Sequence, residues 1–149
     1  MKHLLYLLLL SSSLACADEI GSQYQAQAEA GDSRAQYLLA ETWYSSGNDK
    51  QAEVWAEKAA TGGDVDAMAL LSQIKFKHGD YAQAKGLAQQ AMLAGSMPGT
   101  VMLARLLVNT EAGTPDYPQA LTLLQKAAAN TEDDAAVDAQ LLLGLIYAN

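Results

Sequence analysis

The stretch AQYLLAETWY, from Ala35 to Tyr44, decides the fold because it recurs along the chain. Thirty-two residues later the sequence reads AMALLSQIKF, from Ala67 to Phe76, and the same shift aligns Gly47 with Gly79. The stretch returns once more as AQLLLGLIY, from Ala139 to Tyr147. Self-similarity at a fixed period of this length is the signature of a repeat protein.

Each repeat predicts two helices. In the first helix apolar residues recur at i, i+4 and i+8, as at Ala35, Leu39 and Trp43. Beside them stands a small residue that lets a partner helix approach closely, at Ala40, Ser72, Ala104 and Gly144. The second helix carries one stripe, formed by Ala52, Trp55 and Ala59, by Ala84, Leu87 and Ala91, and by Ala120, Leu123 and Ala127. No stretch alternates with period two, so we expect eight helices and no sheet.

Turn and cap residues predict where these helices begin and end. Gly47, Gly79 and Gly95 suit the left-handed position that closes a helix. A polar residue followed by Gln three positions later is typical of a capping box, and such pairs begin at Ser22, Ser33, Asn48, Asp80 and Asp116. The predicted class is all-α, an α-solenoid of antiparallel helix pairs with about three repeats and a half-repeat at each end.

Residues 1–17 are predicted to be a signal peptide. A basic start precedes the apolar run Leu4–Leu10, which is too short to span a bilayer. The run Ala15-Cys16-Ala17 offers the small-x-small site of a leader peptidase. Cleavage after Ala17 would leave 18–149 as the repeat domain, periplasmic or secreted and with no membrane span. In the alternative, Cys16 is the lipidated first residue of a membrane-anchored lipoprotein.

Composition argues against several classes of function. The chain has 9 Lys and Arg against 17 Asp and Glu, and no basic run, which disfavours nucleic-acid binding. A single cysteine excludes an intramolecular disulfide framework and a Cys-rich metal site. His78 has no second His nearby in the sequence, and no nucleophile with a base or phosphate-binding loop is found. We therefore expect no catalytic residue, no metal, no cofactor and no enzymatic activity.

Two segments resemble known repeats. Ala52–Gly63, following Ala35–Ala40, is similar to the Sel-one-like repeat, and Gly79–Ala84 resembles the turn and second helix of a tetratricopeptide repeat. The resemblance covers about residues 24–149 and implies a protein–protein adaptor. For the secreted bacterial type it implies an envelope adaptor, an assembly factor or a toxin-neutralising immunity protein. A few secreted relatives imply the alternative of an enzyme that binds or hydrolyses cell-wall fragments or β-lactams.

The first candidate surface for a protein partner is the concave side, which the first helices of such an array line. The residues expected there are Tyr37, Glu41, Tyr44, Gln73, Phe76 and Arg105. Aromatic anchors beside a polar ladder suit a groove for a helix or an extended peptide. The alternative is that the aromatic residues only pack neighbouring repeats together.

The second candidate surface is the C-terminal helix. The repeat alignment places Leu143, Gly144 and Tyr147 in the core, as the equivalents of Leu39, Ala40 and Trp43. It leaves Leu142, Leu145 and Ile146 with no following helix to cover them. Exposed apolar side chains of this kind mark interaction sites. We expect the helix to dock against a second copy of the chain, giving a homodimer, or against the partner.

Overall fold

The computed structural model describes residues 24–130 and 134–148, and every regular element in these ranges is an α-helix. The first, α1, covers residues 24–29. It is followed by α2 (Ser33–Ser45), α3 (Asp49–Thr61), α4 (Val65–Lys77), α5 (Tyr81–Leu93), α6 (Met97–Val108), α7 (Tyr117–Ala128) and α8 (Ala135–Tyr147). The predicted signal segment, including Cys16, lies outside the described residues.

The chain divides into two compact units, one ending at Gly62 and one beginning at Gly63. The first contains α1 to α3, and the second contains α4 to α8. Within the second unit each helix packs against the next one along the chain. The first helices of successive repeats also touch, α4 against α6 and α6 against α8. Short connections make consecutive helices antiparallel neighbours, so the all-α prediction with paired helices is confirmed.

The predicted glycine turns are confirmed. Gly47, Gly79 and Gly95 have φ angles of 80°, 83° and 93°, in the left-handed region that favours glycine. After Gly47, the amide of Asn48 donates to the carbonyl of Trp43 at 2.9 Å, which satisfies a carbonyl at the end of α2. The turns at Gly47 and Gly79 reverse the chain between the two helices of a repeat, and the turn at Gly95 connects one repeat to the next.

The predicted caps are right at two positions. Asn48 accepts a hydrogen bond from the amide of Gln51 at 3.3 Å, and Asp116 accepts one from Gln119 at 3.0 Å. Asp80 occupies the cap position of α5 but makes no side-chain cap bond. Ser22 lies outside the described residues.

The cap prediction at Ser33 is wrong by one residue. Asp32 caps α2 instead, because its Oδ1 accepts from the amide of Ala35 at 2.8 Å. The Gln36 side chain, expected to reach back to a capping serine, donates to the carbonyl of Ala28 at 3.0 Å and ties α1 to α2. The sequence missed two further caps of the same kind, Asp64 and Ser96, each directly after a left-handed glycine.

Alanine seams hold each helix pair together. In the first unit Ala40 of α2 and Ala52 of α3 have no exposed surface. In the second unit Ser72 and Ala104 are equally buried, and Ser72 Oγ donates to the carbonyl of Ala84 on α5 at 2.7 Å. Side chains this small let helix backbones approach closely. The predicted small positions are therefore confirmed in three repeats.

Candidate functional site

The eighth helix carries several exposed apolar residues. Val137, Leu141 and Tyr147 are 69%, 64% and 66% exposed. Val137, Leu141 and Gly144 follow the i, i+4, i+7 spacing of one helix face, and Tyr147 lies one turn beyond Gly144. A Cβ added at Gly144 would meet no atom within 4 Å. We call these four residues the open face of α8.

The core assignment of Gly144 and Tyr147 is therefore wrong, while Leu143 is half-buried. The Tyr147 hydroxyl accepts a hydrogen bond from Gln125 Nε2 of α7 at 3.4 Å. The positions equivalent to Gly144, which are Ala40, Ser72 and Ala104, are fully buried, whereas Trp43, the equivalent of Tyr147, is half-buried.

An apolar groove of about 540 Å³ lies between the ends of three helices in the second unit. Its lining is Val108 of α6, Tyr117 of α7, and Leu142, Leu145 and Ile146 of α8. Leu142 and Ile146 are half-buried against the core of the unit, whereas Leu145 is 54% exposed. The structure thus brings the three predicted α8 residues to one groove. Leu145 is the most exposed of the three.

The sequence did not connect Val108 or Tyr117 with the apolar residues of α8. The repeat alignment held the signal, because these two positions correspond to Phe76 and Tyr81. The rings of Phe76 and Tyr81 pack edge to face with centroids 5.6 Å apart. Tyr81 also hydrogen-bonds Glu111, and this bond together with the negative carboxylate raises the pKa of Tyr81 above 10.0.

The first unit presents part of the predicted concave surface on α2. Tyr37 donates its hydroxyl hydrogen to Glu41 Oε1 at 3.2 Å, and the Arg34 guanidinium lies 4.6 Å from the centre of the Tyr37 ring. Tyr44, two turns further along α2, is half-buried. The structure thus brings Tyr37 and Glu41 together, with a cation stacked on the aromatic ring.

The other predicted concave residues belong to the second unit. Gln73 and Phe76 lie on α4 and Arg105 lies on α6, and all three are half-buried. Phe76 packs against the core of its unit. Val101, one turn before Arg105 on α6, is buried as well. For Phe76 the structure thus supplies a packing role, and a binding role for Gln73, Phe76 and Arg105 stays a prediction.

The described residues offer no obvious metal chemistry. In residues 24–130 and 134–148 no group of three or more His, Cys, Asp or Glu side chains is arranged to hold a metal ion. His78 caps α4 through its backbone, whose amide donates to the carbonyl of Ile74 at 3.1 Å. No helix in the same ranges has the length and apolar character to cross a bilayer.

Comparison with known sequences decides the family. No protein-family model matches the sequence. The chain is, however, 56% identical over 154 aligned positions to the Sel1-repeat-containing protein YjcO of Escherichia coli K12. The alignment covers 100% of this chain and 67% of that protein. The chain belongs to the Sel1-repeat family.

Solved Sel1-repeat structures agree with this assignment. The chain is 60% identical to a Sel1 repeat protein of Klebsiella pneumoniae, with a TM-score of 0.78. That match covers 85% of this chain and 62% of the Klebsiella chain, so the present chain spans less than two thirds of that relative.

Two more distant structures share the same Sel1-repeat fold. One is c5321, described as a protective antigen of uropathogenic Escherichia coli, with 30% identity and a TM-score of 0.65 over 72% of this chain and 25% of that one. The other, from Oxalobacter formigenes, has 26% identity and a TM-score of 0.59 over 80% of this chain and 96% of that one.

Proposed function

We propose that this Sel1-repeat chain is an exported protein-interaction module of the cell envelope. The observation that carries the proposal is the apolar groove lined by Tyr117, Leu145 and their neighbours. Apolar side chains and an aromatic ring at a concave surface suit a protein partner's apolar anchor. Sel1-repeat proteins generally serve as protein-interaction modules, which supports the same reading.

The α2 face provides a second surface of a different character. Its Arg34, Tyr37 and Glu41 side chains are linked by a hydrogen bond and a cation–π contact, so they are ordered before any partner arrives. Side chains that are ordered beforehand lose less conformational freedom on binding. We propose that this face adds polar specificity, while the groove supplies apolar contact.

Export is supported by the sequence of residues 1–17. The c5321 relative is described as a protective antigen, and that description agrees with a role outside the cytoplasm. N-terminal sequencing of the protein from its host should begin at Asp18. A fatty acid on Cys16 would make the chain a lipoprotein and keep the export proposal. An unprocessed cytoplasmic product would contradict it.

A test for a protein partner has two steps. The full chain is cross-linked in its host and purified from envelope extracts to identify the partner. The complex is then reconstituted from the two purified proteins so that its dissociation constant can be measured. Leu145→Glu puts a charge into the groove, and we expect it to weaken the complex at least about tenfold. Leu93→Glu on α5 is the matched control, because Leu93 is 80% exposed and lies outside the groove. Equal losses in both variants would contradict a role for the groove.

The partner's activity then separates the finer roles. An adaptor or assembly factor should form a stoichiometric complex without changing the partner's activity. An immunity protein should abolish the activity of a toxin at a one-to-one ratio. Turnover of cell-wall fragments or β-lactams by the purified protein alone would contradict the non-enzymatic proposal.

A further inference from the structure

Arg105 is the one position at which the middle of α6 is open to solvent. From Gly99 to Leu107 every residue of α6 is buried except Arg105, which is half-buried. Four helices pack around α6, namely α4, α5, α7 and α8. The open strip that they leave runs through Arg105 and through Val108, which is half-buried and lies one turn further on.

The Arg105 guanidinium has no counter-charge in the described part of the chain. Its side chain makes no hydrogen bond, ion pair or ring contact with residues 24–130 or 134–148. Lys50, Lys85 and Lys126 make no such contact in these ranges either, but they are exposed, so water solvates their charges. A half-buried guanidinium loses part of its hydration, and a charge in such a place is normally paired. Arg105 therefore lacks an anionic partner.

The positions around Arg105 are apolar or neutral, although the chain as a whole is acidic. Asp and Glu outnumber Lys and Arg by 17 to 9, yet Val101 and Val108 stand one turn before and after Arg105. The equivalent position on α4, which packs against α6, is Gln73. Its side chain is half-buried and makes no hydrogen bond within the described ranges. A guanidinium and an amide are both donors, and together they suit a carboxylate.

A further helix of the array would not supply the missing negative charge. Among the described first helices of the second unit, α4 touches α6 and α6 touches α8, but α4 does not touch α8. Both places beside α6 in this row are thus filled already. A first helix packed beyond α8 would be separated from α6 by α8, just as α4 is separated from α8 by α6. The anion therefore has to come from a segment that lies across the open strip of α6.

We propose that Arg105 and Gln73 bind an Asp or Glu side chain of a protein partner, in a segment that lies across the open strip of α6. The inference deepens the proposed function by naming the partner's chemistry, and it rests on that function. The planar guanidinium matches a carboxylate through two parallel hydrogen bonds, which a lysine cannot form. Apolar positions lie on both sides of Arg105, at Val101 and Val108, so the bound segment continues past its carboxylate in both directions. This favours an acidic side chain over a chain terminus.

Arginine side-chain NMR tests the inference on the full chain, because the sequence contains only two arginines, Arg34 and Arg105. The probe is the peptide Gly-Leu-Ser-Glu-Ser-Leu-Gly, blocked at both ends, whose leucines and glutamate share one side of an extended chain. It should shift the Nε–Hε signal of Arg105 saturably, with a dissociation constant of about 0.1–3 mM. The Arg34 signal should stay in place, since that guanidinium already stacks on the Tyr37 ring. The same peptide with Gln in place of Glu should bind at least about fivefold more weakly.

The deciding variants change Arg105, and the backbone amide signal of Val108 reports peptide binding to each of them. Arg105→Gln removes the charge and should weaken binding at least about tenfold, while Arg105→Lys keeps the charge, loses the fork and should weaken it about threefold. Lys85→Gln is the matched control, since it removes one positive charge from an exposed position of α5, and it should bind like the wild type. Gln73→Leu should weaken binding by less than Arg105→Gln does. The thermal midpoint of Arg105→Gln should equal that of the wild type, because no native partner is lost.

Several results would overturn the inference. They are an Arg105 signal that the Glu peptide does not shift, equal binding of the Glu and Gln peptides, and equal affinity in Arg105→Gln and the wild type. A response of Arg105 to inorganic phosphate but not to the peptide would assign it to a different anion and also overturn the inference. A lower thermal midpoint in Arg105→Gln would show that Arg105 supports the fold instead. If the inference failed while Leu145→Glu still disrupted a reconstituted complex, the proposed function would stand without it.

Discussion

The sixth and eighth helices carry the same pattern in different surroundings. Leu103 and Ala104 of α6 match Leu143 and Gly144 of α8. The sixth helix packs against α4, α5, α7 and α8, whereas α8 packs only against α6 and α7 among the described helices. Ala104 is fully buried and Gly144 is exposed. A repeat pattern therefore predicts a helix reliably, but burial depends on the helices that cover it.

Truncating Leu103 and Leu143 is the strongest test of the difference in burial between α6 and α8. Leu103 is 2% exposed, so Leu103→Ala should lower the free energy of unfolding by about 2–5 kcal/mol. Leu143 is half-buried, and Leu143→Ala should cost less than about half as much. Urea denaturation followed by circular dichroism measures both. Equal losses would mean that α8 is as well covered as α6.

Replacing the small residues at the helix contacts by leucine should also lower the free energy of unfolding, but by less than truncating Leu103. Ala104→Leu forces extra atoms into a closed contact and should cost about 1–3 kcal/mol of unfolding free energy. Ala40→Leu and Ser72→Leu should behave alike, since both positions are fully buried. Gly144→Leu should be neutral or stabilise the chain by up to about 1 kcal/mol, because leucine favours a helix more than glycine does. A large loss at Gly144 would contradict an open face.

The fold was predictable where local chemistry repeats. The aligned glycines and the apolar spacing predicted every described helix, because helix formation and termination depend on nearby residues. Ser33 misled the cap prediction because Ser33 and Gln36 imitate a capping box, while Asp32 offers a stronger acceptor one residue earlier. The caps Asp64 and Ser96 were not predicted because neither residue has a Gln three positions later.

The candidate site was predictable only in part. Leu145 stood out because it is apolar, whereas the equivalent positions of the earlier repeats hold Glu41, Gln73 and Arg105. In the structure Leu145 is exposed. Val108 and Tyr117 come from two other helices, so their place in the groove required the tertiary packing. The exposure of Tyr147 was not predicted because its equivalent, Trp43, is followed by a helix that packs against α2, and the same surroundings were expected for Tyr147.

The hydrogen bond between Tyr81 and Glu111 should make the stability of the fold depend on pH. The folded chain keeps the Tyr81 proton to higher pH than the unfolded chain, so folding should become less favourable as the pH rises above 10.0. Glu111→Ala should lower the pKa of Tyr81 towards its ordinary value and reduce this pH dependence. Titration of the Tyr81 ring carbon by NMR measures the shift. Glu57→Ala, on α3, is the control, and an equal shift there would contradict the assignment.

The α2 face should contribute least to stability. Tyr37 and Glu41 make an exposed hydrogen bond, and such pairs contribute about 0–1 kcal/mol. Tyr37→Phe should therefore leave the thermal unfolding midpoint nearly unchanged, while weakening a reconstituted complex if the face binds the partner. A clear loss of stability with unchanged binding would mean that Tyr37 only supports packing.

Thiol labelling of two matched positions tests the central claim most directly. In a chain with Cys16→Ser, Gly144→Cys should react quickly with a maleimide, and Ala104→Cys should react only on unfolding. Slow labelling at position 144 of the folded chain, or equally fast labelling at position 104, would contradict the claim that the same repeat position is open on α8 and closed on α6.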